Sequence, residues 1–292
     1  MNAVVKGYLR LCRPPNLPTA AADILAGIAI SGFFDDSGSL YSLFYLLFSS
    51  VFLYAGGVVF NDVFDYNLDC VERPERPLPS GLITRKNAAY FGGLLFIIGF
   101  ALAAMVSLIS AGIAFVLILS ILLYDSTTKD HAFFGPLNMG LCRGLNLLLG
   151  FSIVSNFDFW TYTLIPVLFI FAVTLISRGE VHGKNKKNIL LAAVLYGFVI
   201  FSIVVINYWY ETKELWYLVF LGLFIFSVYT PLLKAYRENI PKNIMKAVKA
   251  GVLSIILLDA AIAVGHANVM VGVAILLLLP LSLALAKIFA VT

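Results

Sequence analysis

The chain has 292 residues, 61% of them hydrophobic and only 12% charged, with a formal net charge of +4. A mean hydropathy of +0.96 excludes a soluble globular domain and points to a polytopic helical membrane protein, because spanning segments satisfy their own backbone hydrogen bonds. No stretch between the apolar segments is long enough for a separate soluble domain, so residues 1–292 read as one transmembrane domain.

Apolar segments lie near 17–34, 40–60, 88–109, 111–124, 134–154, 160–177, 189–208, 215–233, 244–264 and 268–289. They predict an all-α bundle of about nine or ten transmembrane helices. The first ten residues are too polar for a secretory leader and no small-residue cleavage site follows, so the first span is expected to be retained. Segment 111–124 is short for a span and follows 88–109 almost without a turn, which predicts a tight helical hairpin. Segment 244–264 opens with Lys246 and Lys249, so its first turns are expected at the interface.

Charge sets the orientation. With a cytoplasmic N-terminus and alternating spans, every lysine and arginine except Lys213 and the intramembrane Arg143 falls on the cytoplasmic side. The outer loops carry Asp35, Asp36, Asp158, Glu211 and Glu214. The expectation is a multi-pass protein of the cell inner membrane with its polar loops in the cytoplasm. The positive charge is then a topology signal, and no nucleic-acid partner is expected. Cys12, Cys70 and Cys142 are widely spaced and include no CxxC, which argues against a disulfide framework or a thiolate metal site.

After the second apolar segment comes Asn61-Asp62-Val63-Phe64-Asp65-Tyr66-Asn67-Leu68-Asp69, then Arg73, Arg76 and Pro77-Leu78-Pro79-Ser80-Gly81. If the helix continues through them, Asp62, Asp65 and Asp69 share one face. Grouped carboxylates beside a bilayer repel and are costly to desolvate, and a cation relieves both costs. Oxygen-only ligands suit a hard ion, and Mg²⁺ suits a site shared with substrate phosphates. Arg73 and Arg76 would complete a phosphate-binding mouth. A solvated topology loop explains Arg85 and Lys86 but leaves the three aspartates unaccounted for.

This run resembles the first aspartate-rich motif of the UbiA superfamily of intramembrane prenyltransferases, in which NDxxDxxxD is followed by RPLPSG. Arg76 to Gly81 matches that second stretch without a gap. The resemblance implies a helical bundle around a central cavity and Mg²⁺-dependent transfer of a prenyl group. The substrates implied are a polyprenyl diphosphate and a small, aromatic acceptor. It also implies metal ligation by Asn61, Asp62, Asp65, Asp69 and Glu180, with catalytic roles for Asp65, Asp69, Lys129, Arg143 and Glu180. Asn16, Asn61, Arg73, Arg76, Tyr124, Asn146, Arg178 and Lys184 are the candidate substrate contacts.

Tyr124 to Lys129 resembles the family's Tyr…Lys element, although an interfacial tyrosine and a positive-inside lysine would look the same. Arg143 lies within a span, where a charge is costly and is a functional candidate by default. It faces either a cavity, with Asn146 nearly one turn on, or a structural acid such as Asp23 or Asp259. Asn16 resembles a polar position that the family keeps near its active site.

The second polar loop, Ser177-Arg178-Gly179-Glu180-Val181-His182-Gly183-Lys184-Asn185, departs from the family's second DxxxD motif and is similar to that of its EboC-like subgroup. One carboxylate remains, and Lys184 stands where the second would be. Three readings stay open: Glu180 supports a single Mg²⁺; Lys184, with Lys186 and Lys187, replaces a metal at the diphosphate; or catalysis has been lost and binding kept. A terpene cyclase, in which the prenyl chain attacks itself, and a non-catalytic membrane protein that binds or moves a hydrophobic intermediate are the alternatives to a transferase.

Overall fold

The structure, a computed structural model, describes residues 2–34, 39–181, 183–210, 212 and 215–289. His182 of the second loop and Asp35, Asp36, Glu211, Lys213 and Glu214 of the outer loops lie outside the described residues.

The described residues form an all-helical bundle with no strand. In chain order the α-helices are α1 (Ala3–Leu11), α2 (Leu17–Ile30), α3 (Leu40–Phe64), α4 (Tyr66–Glu72), α5 (Arg85–Ala104), α6 (Leu108–Leu123) and α7 (Phe134–Phe151). They continue as α8 (Leu164–Ser177), α9 (Lys186–Trp209), α10 (Tyr217–Arg237), α11 (Pro241–His266), α12 (Val269–Leu276) and α13 (Leu278–Ile288).

Eight helical stretches among the described residues are long and apolar enough to cross a membrane, with α12 and α13 counting as one. The protein is therefore an integral, multi-pass membrane protein. Of the ten expected spans, α2 falls short in length at 14 residues, and α7 carries the polar Asn138, Arg143 and Asn146. Both sit inside the bundle. In α2 every residue but Leu17 and Leu25 is buried, and α2 packs against α3, α7 and α11.

Boundaries follow local chemistry. The apolar run 88–109 is cut after Ala104 because Ser107 caps α6, accepting from the Ser110 amide at 3.0 Å. The expected α5–α6 hairpin forms across three residues. A π-turn over Tyr124–Thr128 prolongs α6, giving a 21-residue stretch, so this segment is not short after all. The last segment breaks at Leu277 because Pro280 has no amide for the Leu276 carbonyl and its ring crowds that oxygen.

The helix does not run unbroken through the aspartate motif, as the one-face reading supposed. It stops at Phe64, and Asp65 (φ −80°, ψ 2°) turns the chain into the short α4. This break decides which partner each aspartate meets.

Candidate active site

Each aspartate of the motif is held by a cation. Asp62 Oδ1 accepts from Arg13 Nη2 at 2.6 Å and lies 3.4 Å from Arg76 Nη1. Asp69 Oδ2 accepts from Arg76 Nη1 at 2.8 Å, and its Oδ1 lies 3.8 Å from Arg73 Nη1. Asp65, at the helix break itself, pairs with Lys129. Arg76 thus ties α3 to α4, and Lys129 brings in the chain after the π-turn.

Arg13 was counted in the sequence only as a topology charge. Its backbone is left-handed, at φ 45° and ψ 64°, and Pro14 after it disfavours continuing the right-handed helix. The chain therefore turns out of α1 and delivers the guanidinium to the end of α3. There it also donates to Asn61 Oδ1 at 3.2 Å. Asn61 Nδ2 in turn donates to Asp125 Oδ1 at 3.0 Å. Asp125 is buried at 3% exposure and was passed over between Tyr124 and Lys129.

Beneath this mouth lies a cavity of about 500 Å³. At its polar end it is lined by Arg13, Asn61, Arg73, Asp125 and Glu180. Deeper, the lining includes Ser50, Tyr54, Tyr124, Arg143 and Asn146, with apolar wall from Leu117, Ile121, Met139 and Val248. Arg73 of the first polar loop and Glu180 of the second meet here. Burial pushes the Glu180 carboxyl above the ordinary carboxylate range, while Arg73 and Lys249 oppose that rise. Lys249 was read in the sequence only as interfacial.

Arg143 fulfils both of its sequence readings. It lines the cavity and is also paired, with Nη1 donating to Asp23 Oδ2 at 2.8 Å and Nη2 to Thr19 Oγ1 at 2.7 Å. Its guanidinium lies 5.0 Å from the Tyr54 ring centroid, a cation–π contact. Asn16 reaches this network through its backbone, since its carbonyl accepts from Thr19 Oγ1 at 2.6 Å.

The cavity lining leaves out Asn16, Asp62, Asp65, Asp69, Arg76, Lys129, Arg178 and Lys184. The three aspartates, Arg76 and Lys129 are held in the ion pairs around the helix break, whereas Arg178 and Lys184 lie apart from them. Arg178 is exposed and donates to the His131 carbonyl at 2.6 Å. Lys184 lies in a segment pinned elsewhere: the Asn185 amide donates to Asn239 Oδ1 at 2.6 Å, and Asn185 Nδ2 caps the Leu175 and Ile176 carbonyls at 3.1 and 3.0 Å. Lys184 is outside the cavity lining, so its expected place at a diphosphate is not seen.

The donor set suits Mg²⁺, being amide and carboxylate oxygens at a polar mouth. The described residues nevertheless hold no group of three or more acidic, histidine or cysteine side chains gathered for a metal. The acids are engaged with arginines and a lysine instead. A Mg²⁺–diphosphate unit carries the complementary charges and could divide these pairs, with carboxylates turning to the metal and guanidinium and ammonium groups to the phosphates.

A family model described as the UbiA prenyltransferase family matches residues 17–182. The digeranylgeranylglyceryl phosphate synthase of Methanosarcina mazei is 35% identical over 192 residues, 62% of this chain. That match spans 65% of the relative, just under two thirds of its length. A solved digeranylgeranylglyceryl phosphate synthase superposes with a TM-score of 0.69 at 23% identity, covering 91% of this chain and 99% of that one. A UbiA homolog from Archaeoglobus fulgidus, bound to DMAPP and Mg²⁺, superposes with a TM-score of 0.64 at 15% identity, covering 88% and 99%. At these identities the two structures share the fold with this chain.

Proposed function

The chain belongs to the UbiA prenyltransferase family, and we propose that it transfers a prenyl group from a prenyl diphosphate to a hydroxyl of a small acceptor inside the membrane. The observation that carries this reading is the meeting of Arg13, Asn61, Arg73, Asp125 and Glu180 over a cavity that has an apolar side of Leu117, Ile121, Met139 and Val248. The polar mouth faces the cytoplasm, where the loop cations lie.

Asn61, Asp62, Asp65, Asp69 and Glu180 would hold Mg²⁺, which when bound neutralises diphosphate charge and so makes diphosphate a leaving group. The chain's own part is to bind, orient and exclude water. Arg13, Arg73, Arg76 and Lys129 contact the phosphates once released from their aspartates. The prenyl chain lies along Leu117, Ile121, Met139 and Val248, where water that would quench an allylic cation is excluded. Tyr54 and Tyr124 offer ring faces to that cation. The C–O bond to diphosphate breaks with its electron pair, the acceptor oxygen forms the new C–O bond, and the hydroxyl proton is released.

The acceptor reading changes from the sequence expectation. The relative's name carries a glyceryl phosphate, which supports an alcohol in place of an aromatic ring. The polar wall of Ser50, Tyr54, Arg143 and Asn146 suits a hydroxylated acceptor.

The test is reconstitution of the purified protein in liposomes with Mg²⁺, a prenyl diphosphate series and glyceryl-phosphate or aromatic acceptors, measuring released diphosphate. Release that depends on a glyceryl-phosphate acceptor is expected. Release without an acceptor would mean a cyclase, and tight diphosphate binding with no release under any acceptor would mean a binding protein.

A further inference from the structure

Behind the cavity wall, two carboxyl groups meet in the middle of the bundle. Asp23 of α2 and Asp259 of α11 are both 0% exposed and lie within hydrogen-bonding reach of each other. Asp23 Oδ2 accepts from Arg143 Nη1 at 2.8 Å and Asn146 Nδ2 at 2.9 Å. Asp23 Oδ1 and both oxygens of Asp259 receive no donor from the protein.

Arg143 is the cation that faces this pair. Two ionised carboxylates against one guanidinium would leave a net negative charge among apolar helices, with three oxygens unsatisfied. One proton held between Asp259 and Asp23 Oδ1 removes the excess charge and satisfies both facing oxygens.

We propose that Asp259 is a neutral carboxylic acid whose proton is donated to Asp23, making it the positioning residue for the Arg143–Asn146 wall of the cavity. Asp23 then accepts from three groups and cannot turn. Its Oδ2 holds Arg143, whose other arm is on Thr19 and whose plane lies near Tyr54. It also fixes the sense of the Asn146 amide: Nδ2 serves Asp23 and the Ala20 carbonyl (3.0 Å), so Oδ1 is left to accept from Ser50 Oγ at 2.7 Å. Ser50, Tyr54, Arg143 and Asn146 all line the cavity. The inference rests on the reading of that cavity as the acceptor's chamber only for its catalytic consequence, because the proton itself can be observed without substrate.

The experiment is infrared difference spectroscopy of the full-length protein in lipid, in H₂O and D₂O. The C=O stretch of a protonated carboxylic acid, shifted in D₂O, is expected in the wild type and lost in Asp259→Asn. Absence of that band in the wild type, or its persistence in Asp259→Asn, would overturn the proposal. A second arm measures transfer. Asp259→Asn keeps a neutral donor toward Asp23 and should keep kcat/KM near wild type, whereas Asp259→Leu leaves Asp23 Oδ1 bare and should lower it by roughly 10–100-fold. Equal loss in the two variants, with both folded, would also overturn the positioning role. Wild-type protein that shows the band but transfers nothing would tell against the transferase reading and leave the shared proton standing.

Discussion

Gly27 of α2 and Gly150 of α7 face each other backbone to backbone. A Cβ on Gly27 would lie 2.2 Å from the Leu147 carbonyl oxygen, and one on Gly150 would lie 2.6 Å from that of Ile24. Backbone cannot yield as a side-chain tip can, so the helices would have to part. The same helix pair holds Arg143 to Asp23 at 2.8 Å. Gly150→Ala is therefore expected to destabilise the protein by about 1–3 kcal/mol, the usual cost of overpacking a close contact. Thermal unfolding in detergent checks this. An unchanged midpoint would mean that the approach is looser than described.

The ion pairs at the mouth predict how its aspartates behave. Asp69→Asn and Asp65→Asn should each weaken Mg²⁺-dependent diphosphate binding by about tenfold or more without unfolding the bundle. Calorimetric titration with inorganic diphosphate, with and without Mg²⁺, reads the effect. Binding that stays Mg²⁺-dependent and undiminished in both variants would defeat the metal assignment.

The second loop gives a sharper contrast. Glu180 lines the cavity, whereas the segment carrying Lys184 is tied by Asn185 to Asn239. Glu180→Gln should lower diphosphate affinity in Mg²⁺ about tenfold, while Lys184→Ala should leave it near wild type. The opposite ranking would restore the reading in which a lysine replaces a metal ion.

What could be read in the sequence was mainly what repeats at short range. Asn61 to Gly81 stood out because acids and arginines beside an apolar span have few other uses, and from this stretch Asn61 and Arg73 line the cavity. The pairing of Arg143 with Asp23 was one of two readings, since a buried arginine needs an acid or a cavity; it has both. The break at Asp65 was hidden because every residue around it tolerates a helix. Arg13 was hidden because its role depends on a left-handed backbone that an arginine seldom adopts. The place of Lys184 could not be read from its match to the family's second motif, because residues 183–185 are not helical and Asn185 ties the segment to Asn239.

Orientation is the remaining expectation that a native side chain can report. Cys70, on α4 beside the mouth, is exposed, whereas Cys12 is buried and Cys142 is half-buried in the cavity wall. Burial pushes the Cys12 thiol up to about 11, so it stays protonated and unreactive near neutral pH, where the thiolate is the attacking form. A membrane-impermeant maleimide should therefore modify one cysteine per chain, and Cys70→Ser should abolish the labelling. If the mouth faces the cytoplasm, inside-out vesicles will label and intact cells will not. The loop cations predict that result: Arg73, Arg76, Arg85 and Lys86 all lie within about 20 residues of span ends, where positive charge biases which side stays in. Labelling of Cys70 in intact cells would invert the whole bundle and place the diphosphate site on the outer face.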